Sequence, residues 1–493
     1  MHQPLILTID LGTTSTRAAL YDGRANPVSG ASVQIPNRLE TDPDGRATFD
    51  ARTLLAATVD AIDQVLVRAR LPEGAIAALT MAGFVGNVLG LDADGQPITP
   101  VYTYADTRNA AAVGDLRRRF GREFMDAAHD RTGCMLHTSY LPPRFAWLAA
   151  AEPDLFAQVA RWVSVAEWIQ QQLTGALAVS VSVAAWTGLL DRRTLTWDST
   201  WLDRLPANAD QLSPIVDSLT ALGTLTAAWQ TRWPALANAQ VYPAVGDGAA
   251  ANIGSGCDKP GRIALTVGTT GAMRMVVPPT LAHVPRGLWL YRVDTARALL
   301  GGATTEGGNL FAWLRDTLTL PAGDALEASL RTARPAHHGL TVLPFIAGER
   351  APGWHEAARA TISGIGLHTT AVDLVQAALE GIAYRFARIH QLIVGNTDPG
   401  SQTIVASGGA LLRSPAWLQI FADVLNQPVV ALRDAELTSR GLALLGLEAL
   451  GAIGTSSDLP PTFDREFTPD AAAHAVHAAA RERQDVLYAA LLE

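Results

Sequence analysis

Cysteine is scarce in this chain. Cys134 and Cys257 are its two cysteines among 493 residues. Two cysteines supply neither a disulfide framework nor a set of metal ligands, and such scarcity is typical of proteins kept in a reducing cytoplasm. We therefore predict a cytoplasmic location and expect both thiols to lie in the core or in a pocket wall.

Basic clusters are also few. The formal net charge is −9 at pH 7 and the isoelectric point is about 5.7, whereas a nucleic-acid surface needs clustered lysine and arginine to neutralise phosphates. The tightest basic cluster, Arg117 to Arg119, is interpreted as a solvated helix face. The sequence thus argues against a nucleic-acid partner.

Signals for membrane insertion and export are lacking. The longest uncharged run, Trp168 to Leu190, is long enough to span a bilayer. Its three glutamines, its Thr174-Gly175 break and its alternating Val and Ser nevertheless favour a helix end followed by a strand. The N-terminus leads into a strand without the features of a signal peptide. We expect neither membrane insertion nor export.

What the chain does contain is an apolar run broken by small hydroxyl residues. Ile6 to Tyr21 is interpreted as a strand, a Gly-Thr-Thr-Ser-Thr turn and a second strand, with Asp10 ending the first strand. Backbone N–H groups and hydroxyls in such a turn, including those of Thr13 and Thr14, can bind phosphate oxygens, and Asp10 can hold Mg²⁺ through water. The alternative is an ordinary hairpin with a polar turn.

The second half of the chain repeats this theme. Val245 to Gly254 is interpreted as a short strand leading into a helix of small residues, and Arg262 to Val267 as a strand that runs into Gly268-Thr-Thr-Gly271. Two such turns facing each other across a cleft would bind a polyphosphate from both sides.

Helical spacing alternates with these strands. Arg52 to Leu71 and Val372 to Val394 carry apolar residues at the period of a helix. The pattern predicts an α/β protein with mixed sheets flanked by helices. Its length accommodates more than one core, so we place a domain break near Val241, between residues 1–240 and 241–493.

A further strand, Ile404 to Ala410, carries Gly408 and Gly409 at its end and leads into a helix. Glycines allow a flat ligand to approach the backbone closely, so a nucleotide base or ribose is expected here. The alternative is a tight strand-to-helix turn.

Together these segments resemble the FGGY family of carbohydrate kinases over nearly the whole chain. The matching motifs are, in order, Asp10-Leu-Gly-Thr-Thr14, Ala105-Asp106-Thr-Arg108, Gly246-Asp247-Gly-Ala-Ala250, Gly268-Thr-Thr-Gly271, Gly301-Gly-Ala303, Gly348-Glu-Arg-Ala-Pro352, Ser407-Gly-Gly-Ala410 and 419–425. Within the family, segments 131–137, 187–198, 268–274 and 288–292 are most similar to gluconokinases, and xylulokinases share much of the same pattern.

The resemblance implies two actin-like ATPase domains of the ribonuclease H-like type, with a catalytic cleft between them that closes on a sugar and MgATP. Because members of the family are often dimers, a homodimer is expected as well. The resemblance implies ATP and Mg²⁺ as the cofactors.

The resemblance also implies that Asp247 is the general base. The chemistry agrees, because a sugar hydroxyl that attacks the γ-phosphorus must lose its proton, and a carboxylate within hydrogen-bond reach can accept it. The alternative is a helix N-cap, since Asp247 precedes a helix of small residues. The other implied contacts are Thr13, Thr14, Gly268, Thr269 and Thr270 with phosphates, Gly408 and Gly409 with adenosine, and Asp10 with Mg²⁺ through water.

Asp106 and Arg108 are the leading candidates for substrate binding. A carboxylate and a guanidinium can bind polyol hydroxyls together, and arginine can bind the carboxylate of a sugar acid in bidentate fashion. The alternative is a surface ion pair. His137 is a further candidate, or else a satisfied wall residue, whereas Glu349 and Arg350 are interpreted as a partly buried pair that orders their loop.

Three departures from the family pattern bear on the substrate. Val85 and Gly86 stand where gluconokinases and xylulokinases usually have a Met-His pair that lines the sugar site. Tyr104 replaces a usual Trp, and Glu306 replaces a common Asn. Because a His-to-Gly change removes a donor and opens space, we expect the site near Gly86 to accept a different or bulkier polyol.

The leading hypothesis is ATP-dependent phosphorylation of a terminal hydroxyl of D-gluconate or a similar open-chain sugar acid. The second hypothesis is a ketopentose kinase that acts on xylulose or ribulose. The third is a non-catalytic sensor of sugar or nucleotide on the same fold.

Overall fold

Two mixed sheets, each covered by helices, form the framework of the computed structural model, which describes residues 4–397, 400–433 and 436–492. The strands of the first half are β1 Leu5–Leu11, β2 Ser15–Tyr21, β3 Pro27–Pro36, β4 Glu40–Thr41, β5 Ala47–Phe49, β6 Ile76–Gly83, β7 Leu89–Leu91, β8 Val101–Tyr102, β9 Arg161–Val163, β10 Val179–Ser180, β11 Leu190–Asp191, β12 Thr196–Trp197, β13 Ile215–Val216, β14 Gln240–Val241 and β15 Val245–Gly246. Its helices are α1 Ala51–Ala69, α2 Ala110–Thr132, α3 Leu141–Ala151, α4 Pro153–Gln158, α5 Val165–Thr174, α6 Val181–Ala185, α7 Ser199–Leu202 and α8 Ala227–Arg232.

The second half follows the same plan. Its strands are β16 Arg262–Val267, β17 Gly271–Val277, β18 Trp289–Arg292, β19 Ala298–Thr304, β20 Thr341–Leu343, β21 Thr361–Ser363, β22 Thr403–Ser407, β23 Val429–Leu432 and β24 Phe463–Phe467. Its helices are α9 Asp247–Gly254, α10 Gly308–Thr317, α11 Gly323–Thr332, α12 Ala371–Val394, α13 Gly409–Leu412, α14 Pro415–Leu425, α15 Leu437–Ala449 and α16 Ala471–Leu492.

The first sheet has the strand order β14-β6-β1-β2-β3, and β15 also pairs with β6. The strands β14, β15 and β1 run parallel to β6, and β1 and β2 form the antiparallel hairpin that the sequence predicts. Ile6, Leu7, Ile9 and Leu11 of β1 are completely buried. Burial of each such side chain contributes on the order of 1.5–3 kcal/mol, so β1 anchors the core of the first domain.

The second sheet has the order β18-β19-β17-β16-β22-β23-β24. Its central strand β16 forms an antiparallel hairpin with β17 and runs parallel to β22. This arrangement matches the β1-β2 hairpin with β6 beside it. The repeated theme in the sequence is therefore a repeated arrangement of strands, and the predicted α/β fold with mixed sheets is confirmed.

One stretch folds differently from the expectation. The alternating Val and Ser before Leu190 predict a strand, but the strand β10 ends at Ser180 and helix α6 follows. The hydroxyl of Ser180 accepts a hydrogen bond from the N–H of Val183 at 3.0 Å. This N-cap starts a helical turn, because serine side chains offer the backbone an alternative to a strand ladder.

The two domains contact each other along a continuous seam. The ring Nε2 of His129, in α2, lies 2.8 Å from the carbonyl oxygen of Leu288, and the N–H of Leu290 donates to the carbonyl of Gly133 at 2.9 Å. The first domain is thus fixed to the segment that precedes β18 and to β18 itself.

The domain break between residues 240 and 241 stays a prediction. The sheet pairings do not decide its position, because β14 and β15 both pair with β6 of the first sheet. Both cysteines are buried, as expected. Over the described part of the chain, no helix is long and apolar enough to cross a membrane.

Candidate active site

The first Gly-Thr-Thr turn joins β1 to β2. The N–H of Gly12 donates to the carbonyl of Ser15 at 3.0 Å, which closes the turn. Asn37 supports it from below, because its side-chain Nδ2 donates to the carbonyl of Gly12 at 2.8 Å and its N–H donates to that of Thr14 at 2.9 Å. Thr13 is half-buried and Thr14 is exposed, so this turn presents hydroxyls to solvent.

Asp10 lies at the end of β1, beside this turn. The pKa of its carboxyl is raised to about 6, first by burial and then by the charge of Asp247, while Arg17 acts in the opposite direction. In the register of the sheet, Asp10 and Val245 both pair with Ala82 of β6. Asp247 follows Val245 by two residues, so both carboxylates lie at the same edge of the first sheet.

Asp247 is the first residue of α9, and Gly246 is the residue that caps this helix. The alternative interpretation of Asp247 as the N-cap is therefore wrong. Its Oδ1 accepts a hydrogen bond from the N–H of Gly248 at 2.7 Å. Burial raises the pKa of Asp247, while the Gly248 N–H and the charge of Arg274 lower it. A carboxylate with a raised pKa is a stronger base than one in water.

Two residues that sequence reasoning missed lie against the backbone on either side of Asp247. Arg274 of β17 donates to the carbonyl of Gly248 at 3.0 Å and to Thr266 Oγ1 at 3.1 Å. The indole of Trp186 lies so close that a Cβ on Gly246 would come 2.7 Å from its Nε1. The sequence places Arg274 within a family-like segment but gives no sign that its guanidinium reaches α9, and nothing singles out Trp186.

The second Gly-Thr-Thr turn joins β16 to β17 and packs against the start of α10. The N–H of Gly308 donates to the carbonyl of Gly268 at 2.7 Å, and the N–H of Asn309 donates to that of Thr269 at 3.1 Å. Thr269 and Thr270 are exposed. Since Arg274 lies on β17 and reaches α9, it links this turn to Asp247.

A cavity of about 650 Å³ opens beside the second turn. Its lining includes Gly268, Thr269, Gly308, Asn309, Gly323, Gly409, Ala410 and Trp417. Gly409 lines this cavity directly. Gly408 has a φ of 93°, and a Cβ there would lie 2.4 Å from the carbonyl oxygen of Val267, so a side chain at this position is excluded by both conformation and space.

Asp106 and Arg108 form a buried network. The Asp106 side chain is fully buried and accepts hydrogen bonds from Arg108 Nη2 at 2.6 Å, Arg144 Nη1 at 3.0 Å and the Ala47 N–H at 3.3 Å. The Arg108 guanidinium also lies over the ring of Trp147. The alternative of a surface ion pair is wrong. These contacts use much of the hydrogen-bonding capacity of both groups, and their contact with substrate stays a prediction.

His137 lies where the two domains meet. Its Nδ1 accepts a hydrogen bond from the Ser139 N–H at 3.1 Å, which leaves the proton on Nε2. Burial, followed by the charges of Arg350 and Arg117, lowers the pKa of His137 to about 3. The imidazole is therefore neutral at pH 7, and its Nε2–H lies on the side of the Glu356 carboxylate, whose Oε1 is 3.7 Å from Nε2. The ring of Trp354 from the second domain lies 5.4 Å away.

The space expected at Gly86 is not open in the direction of a side chain. Gly86 has a φ of 67°, and a Cβ there would lie 2.9 Å from the carbonyl oxygen of Ser139 and 3.0 Å from Tyr104 Cβ. The neighbouring cavity has a volume of about 30 Å³. The glycine allows two segments to approach each other, so the expectation of a more open site is wrong at this position.

Glu349 and Arg350 do not pair with each other. The Glu349 carboxylate is paired with Arg385, and it accepts a hydrogen bond from the Tyr488 hydroxyl at 2.7 Å. Arg350 is half-buried, its Nε is buried without a hydrogen-bond partner, and no carboxylate in the described residues forms an ion pair with it. Its charge acts on His137, Tyr140 and Tyr291, so an arginine without an ion-pair partner lies where the two domains meet.

Glu306 follows β19 and lies between the second turn and the loop of Glu349. Its side chain is 3% exposed, and its Oε1 has no hydrogen-bond partner in the part of the chain that the structure covers. Burial raises the pKa of this carboxyl to about 7. Asparagine, the residue common in the family, would carry no charge here.

The fold, with a Gly-Thr-Thr turn in each half, is that of a kinase of small molecules. The N-terminal domain model of the FGGY family of carbohydrate kinases matches residues 5–254, and the C-terminal domain model matches residues 263–450. The chain belongs to this family, whose members are phosphotransferases that use ATP and share the actin-like ATPase fold.

Its relatives include enzymes for several polyols. Gluconokinase from Bacillus subtilis (strain 168) is 25% identical over 460 residues, which cover 91% of this chain and 88% of the relative. Glycerol kinase from Janthinobacterium sp. (strain Marseille) is 28% identical over 482 residues, 94% of each chain. Structures of gluconate kinase and of ligand-bound xylulose kinase, both from Lactobacillus acidophilus, each superpose with a TM-score of 0.91 at 26% identity and cover 99% of this chain and 98% of their own.

Proposed function

We propose that this protein transfers the γ-phosphate of MgATP to a terminal hydroxyl of D-gluconate or a similar open-chain sugar acid. The observation that carries the proposal is the unpaired guanidinium of Arg350 beside the neutral ring of His137. A half-buried cation without a protein ion-pair partner favours an anionic ligand, and arginine binds carboxylates in bidentate fashion. The similarity to gluconokinases supports the same choice.

In this proposal Asp247 is the general base. As the sugar oxygen forms its bond to the γ-phosphorus and the bond to the leaving ADP oxygen breaks, the hydroxyl proton passes to the Asp247 carboxylate. Burial raises the pKa of this carboxylate, so it accepts the proton more readily than a solvated aspartate. Arg274 holds the start of α9 through the Gly248 carbonyl and thereby positions the base.

The nucleotide would lie between the two turns. The 650 Å³ cavity beside Gly268 and Gly409 lies within the usual size of small-molecule sites, and Thr13, Thr14, Thr269 and Thr270 offer hydroxyls to phosphate oxygens. The backbone of Gly408 would form one wall of the adenosine site.

The residues present also fit Mg²⁺. Asp10 and Asp247 lie at one sheet edge, and the charge of Asp247 is one cause of the raised pKa of Asp10, so a cation there would relieve this repulsion. No group of three or more potential ligand side chains occurs within the described residues, which suits an ion bound through one carboxylate, water and substrate phosphates. Bound there, Mg²⁺ would neutralise charge on the phosphates.

A ketopentose kinase is the second candidate, because a ligand-bound xylulose kinase superposes as well as the gluconate kinase does. A non-catalytic sensor is disfavoured, because the chain belongs to a family of enzymes and retains Asp10 and Asp247.

The test is a panel of acceptors in a coupled assay of ADP release, with gluconate, xylulose, ribulose and glycerol at matched concentrations. We expect the highest kcat/KM with gluconate. A kcat/KM for xylulose far above that for gluconate would reject the sugar acid in favour of the ketopentose.

A further inference from the structure

The second domain contains another cavity, separate from the 650 Å³ cavity in which we propose that the nucleotide binds, here called the nucleotide cavity. It has a volume of about 280 Å³ and lies among α11, α12, α14, β24 and α16. Polar side chains line its floor and rim, among them Arg331, Gln376, Glu380, Asp423, Arg465 and His477. None of the residues discussed for the reaction lines it. Its volume is slightly below the roughly 300–1,000 Å³ of most ligand sites, which suits a molecule smaller than a nucleotide.

The floor of this cavity offers hydrogen-bond acceptors. Gln376 is 3% exposed, and its Nε2 donates to the carbonyl of Arg334 at 2.9 Å and to Glu380 Oε1 at 2.8 Å. These two acceptors fix the orientation of the amide, so its Oε1 points away from them, and that oxygen has no partner among the residues described. An acceptor buried without a partner costs about 1–3 kcal/mol unless a ligand donates to it.

His477 adds a second acceptor. The hydroxyl of Tyr384 donates to Glu380 Oε2 at 3.2 Å and lies 3.0 Å from His477 Nδ1. We assign the hydroxyl hydrogen to the Glu380 carboxylate, which is the stronger acceptor because it is charged, so that Nδ1 carries the proton and Nε2 is the acceptor. Burial lowers the pKa of His477, which keeps the ring neutral.

Glu380 itself is already satisfied. It accepts from the Ala336 N–H and from Gln376, Tyr384 and His338. The floor therefore does not present a free carboxylate at Glu380 to bind an ammonium group. Hydroxyl groups fit the acceptors of Gln376 and His477 better.

The rim of the cavity carries two positively charged side chains. Arg331, in the last turn of α11, and Arg465, in β24, are both exposed. Within residues 4–397, 400–433 and 436–492 neither guanidinium forms an ion pair with a carboxylate. Asp423 also lines the cavity, and its Oδ1 accepts hydrogen bonds from Gln419 Nε2 and from the Asp470 N–H, both at 2.8 Å. The two arginines at the cavity mouth have no such partner in the described part of the chain, and they favour a carboxylate or phosphate.

We propose that this cavity binds a small hydroxylated anion, a phosphorylated or carboxylated polyol, at a site separate from the catalytic cleft. Its hydroxyls donate to Gln376 and His477 on the floor, and its anionic group meets Arg331 and Arg465 at the rim.

The cavity shares a wall with the nucleotide cavity. Leu330 of α11 lines both. Glu327, one turn earlier in α11, accepts hydrogen bonds from Ser414 Oγ at 2.8 Å and from the Ala416 N–H at 2.7 Å. Ser414 lines the nucleotide cavity, and Ala416 lines the second cavity. On the proposed function, in which the nucleotide occupies the neighbouring cavity, a ligand that holds α11 in place acts on nucleotide affinity as well.

The test uses 4-phosphoerythronate, an anion with two secondary hydroxyls and without a primary hydroxyl that could accept phosphate. The probe is titrated calorimetrically into the full-length protein saturated with MgADP. We expect one binding site in the wild type, and an affinity at least about tenfold weaker in the double variant Arg331→Gln/Arg465→Gln. Arg483→Gln is the control, because Arg483 lies on α16 with His477, is exposed and does not line the cavity.

The substituted arginines are exposed, so we expect the variants to fold like the wild type. Circular dichroism and kcat measured without the probe check this. Failure of the wild type to bind the probe, or equal affinity in wild type and double variant, would overturn the proposed site. A second titration measures the Kd of MgADP with and without the probe. A shift of about threefold or more in the wild type alone supports the coupling through α11, and an unchanged Kd rejects it.

Discussion

At the scale of single residues, the position of Asp247 explains why its carboxylate suits proton transfer. Asp247 is the first residue of α9 and directly follows β15. Strand β15 pairs with β6, which also pairs with β1, the strand that carries Asp10. Burial raises the pKa of Asp247, and Arg274 holds the first turn of α9. The sequence motif predicts the residue, whereas the environment that strengthens it as a base is visible only in the fold.

Replacement of this base has a defined outcome. We expect Asp247→Asn to lower kcat by about 10²–10⁴-fold, because a general base contributes that much, while the KM for ATP changes little. Steady-state kinetics measure both constants, and Asp22→Asn in the β2-β3 turn is the control. Retention of more than about a tenth of the wild-type kcat would contradict the assignment.

Glu306 predicts a pH effect on stability. Burial raises its pKa from the ordinary 4.5 of a glutamate to about 7, so the folded protein binds this proton more tightly than the unfolded chain does. The stability that this provides is fully present below pH 4.5 and is lost as the pH rises through 7. Glutamine cannot ionise, so Glu306→Gln does not lose this stability at high pH. We expect the free energy of unfolding of Glu306→Gln minus that of wild type to be about 2–3 kcal/mol larger at pH 8 than at pH 5.

Urea unfolding of wild type and Glu306→Gln at pH 5 and pH 8 measures this difference. The exposed Glu482→Gln serves as the control and is expected to show the wild-type dependence on pH. An identical pH dependence for Glu306→Gln and wild type would mean that burial does not raise the pKa of Glu306.

At the scale of elements, the turn between β16 and β17 depends on the start of α10. Gly308 donates its N–H to the Gly268 carbonyl, and a Cβ at position 308 would lie 2.8 Å from that oxygen and from Ala410 Cβ. We expect Gly308→Ala to lower kcat/KM for ATP by roughly 10- to 100-fold, since small displacements of a binding group have effects of this size.

Gly323→Ala is the matched control. Gly323 lines the same cavity, but a Cβ there meets nothing within 4 Å. Kinetics at varied ATP distinguish the two variants. Equal kcat/KM for ATP in both would contradict a role for the contact between the turn and α10 in nucleotide binding.

The sequence predicts those elements whose signals are local. The β1-β2 hairpin, the strand β16 and the long helix α12 follow from their own apolar periods. Helix α6 does not, because its Val and Ser alternation is typical of a strand and its start depends on one serine hydroxyl. The partner of Glu349 could not be predicted from the sequence either, because Arg385 lies 36 residues away on α12.

At the scale of the whole molecule, the two halves are tied together by side chains that reach from one domain to the other. Arg192 is almost fully buried. Its Nη1 donates to the carbonyl of Leu281 at 2.7 Å and its Nη2 to that of Ala282 at 3.0 Å. The loop between β17 and β18 is thereby fixed to the first domain.

We expect Arg192→Met to reduce the free energy of unfolding by about 1–3 kcal/mol, because the Leu281 carbonyl loses the Arg192 donor, whereas Asp130 and the Ala282 carbonyl keep Arg193. Arg193→Met is the control, since Arg193 contacts the same aspartate but is exposed, and we expect a loss below about 1 kcal/mol. Equal losses in urea unfolding would contradict the importance of this seam. The homodimer stays a prediction that sedimentation analysis can test.

The most direct measurement concerns the carboxylate of the substrate. It compares kcat/KM for gluconate with kcat/KM for sorbitol, in which a hydroxymethyl group replaces that carboxylate, in wild type and Arg350→Gln. Arg359→Gln, an exposed arginine that follows the same loop, is the control. We predict a loss of about 10- to 100-fold for gluconate in Arg350→Gln, with sorbitol nearly unchanged. Equal losses for both acceptors, or none, would contradict recognition of a sugar acid by Arg350.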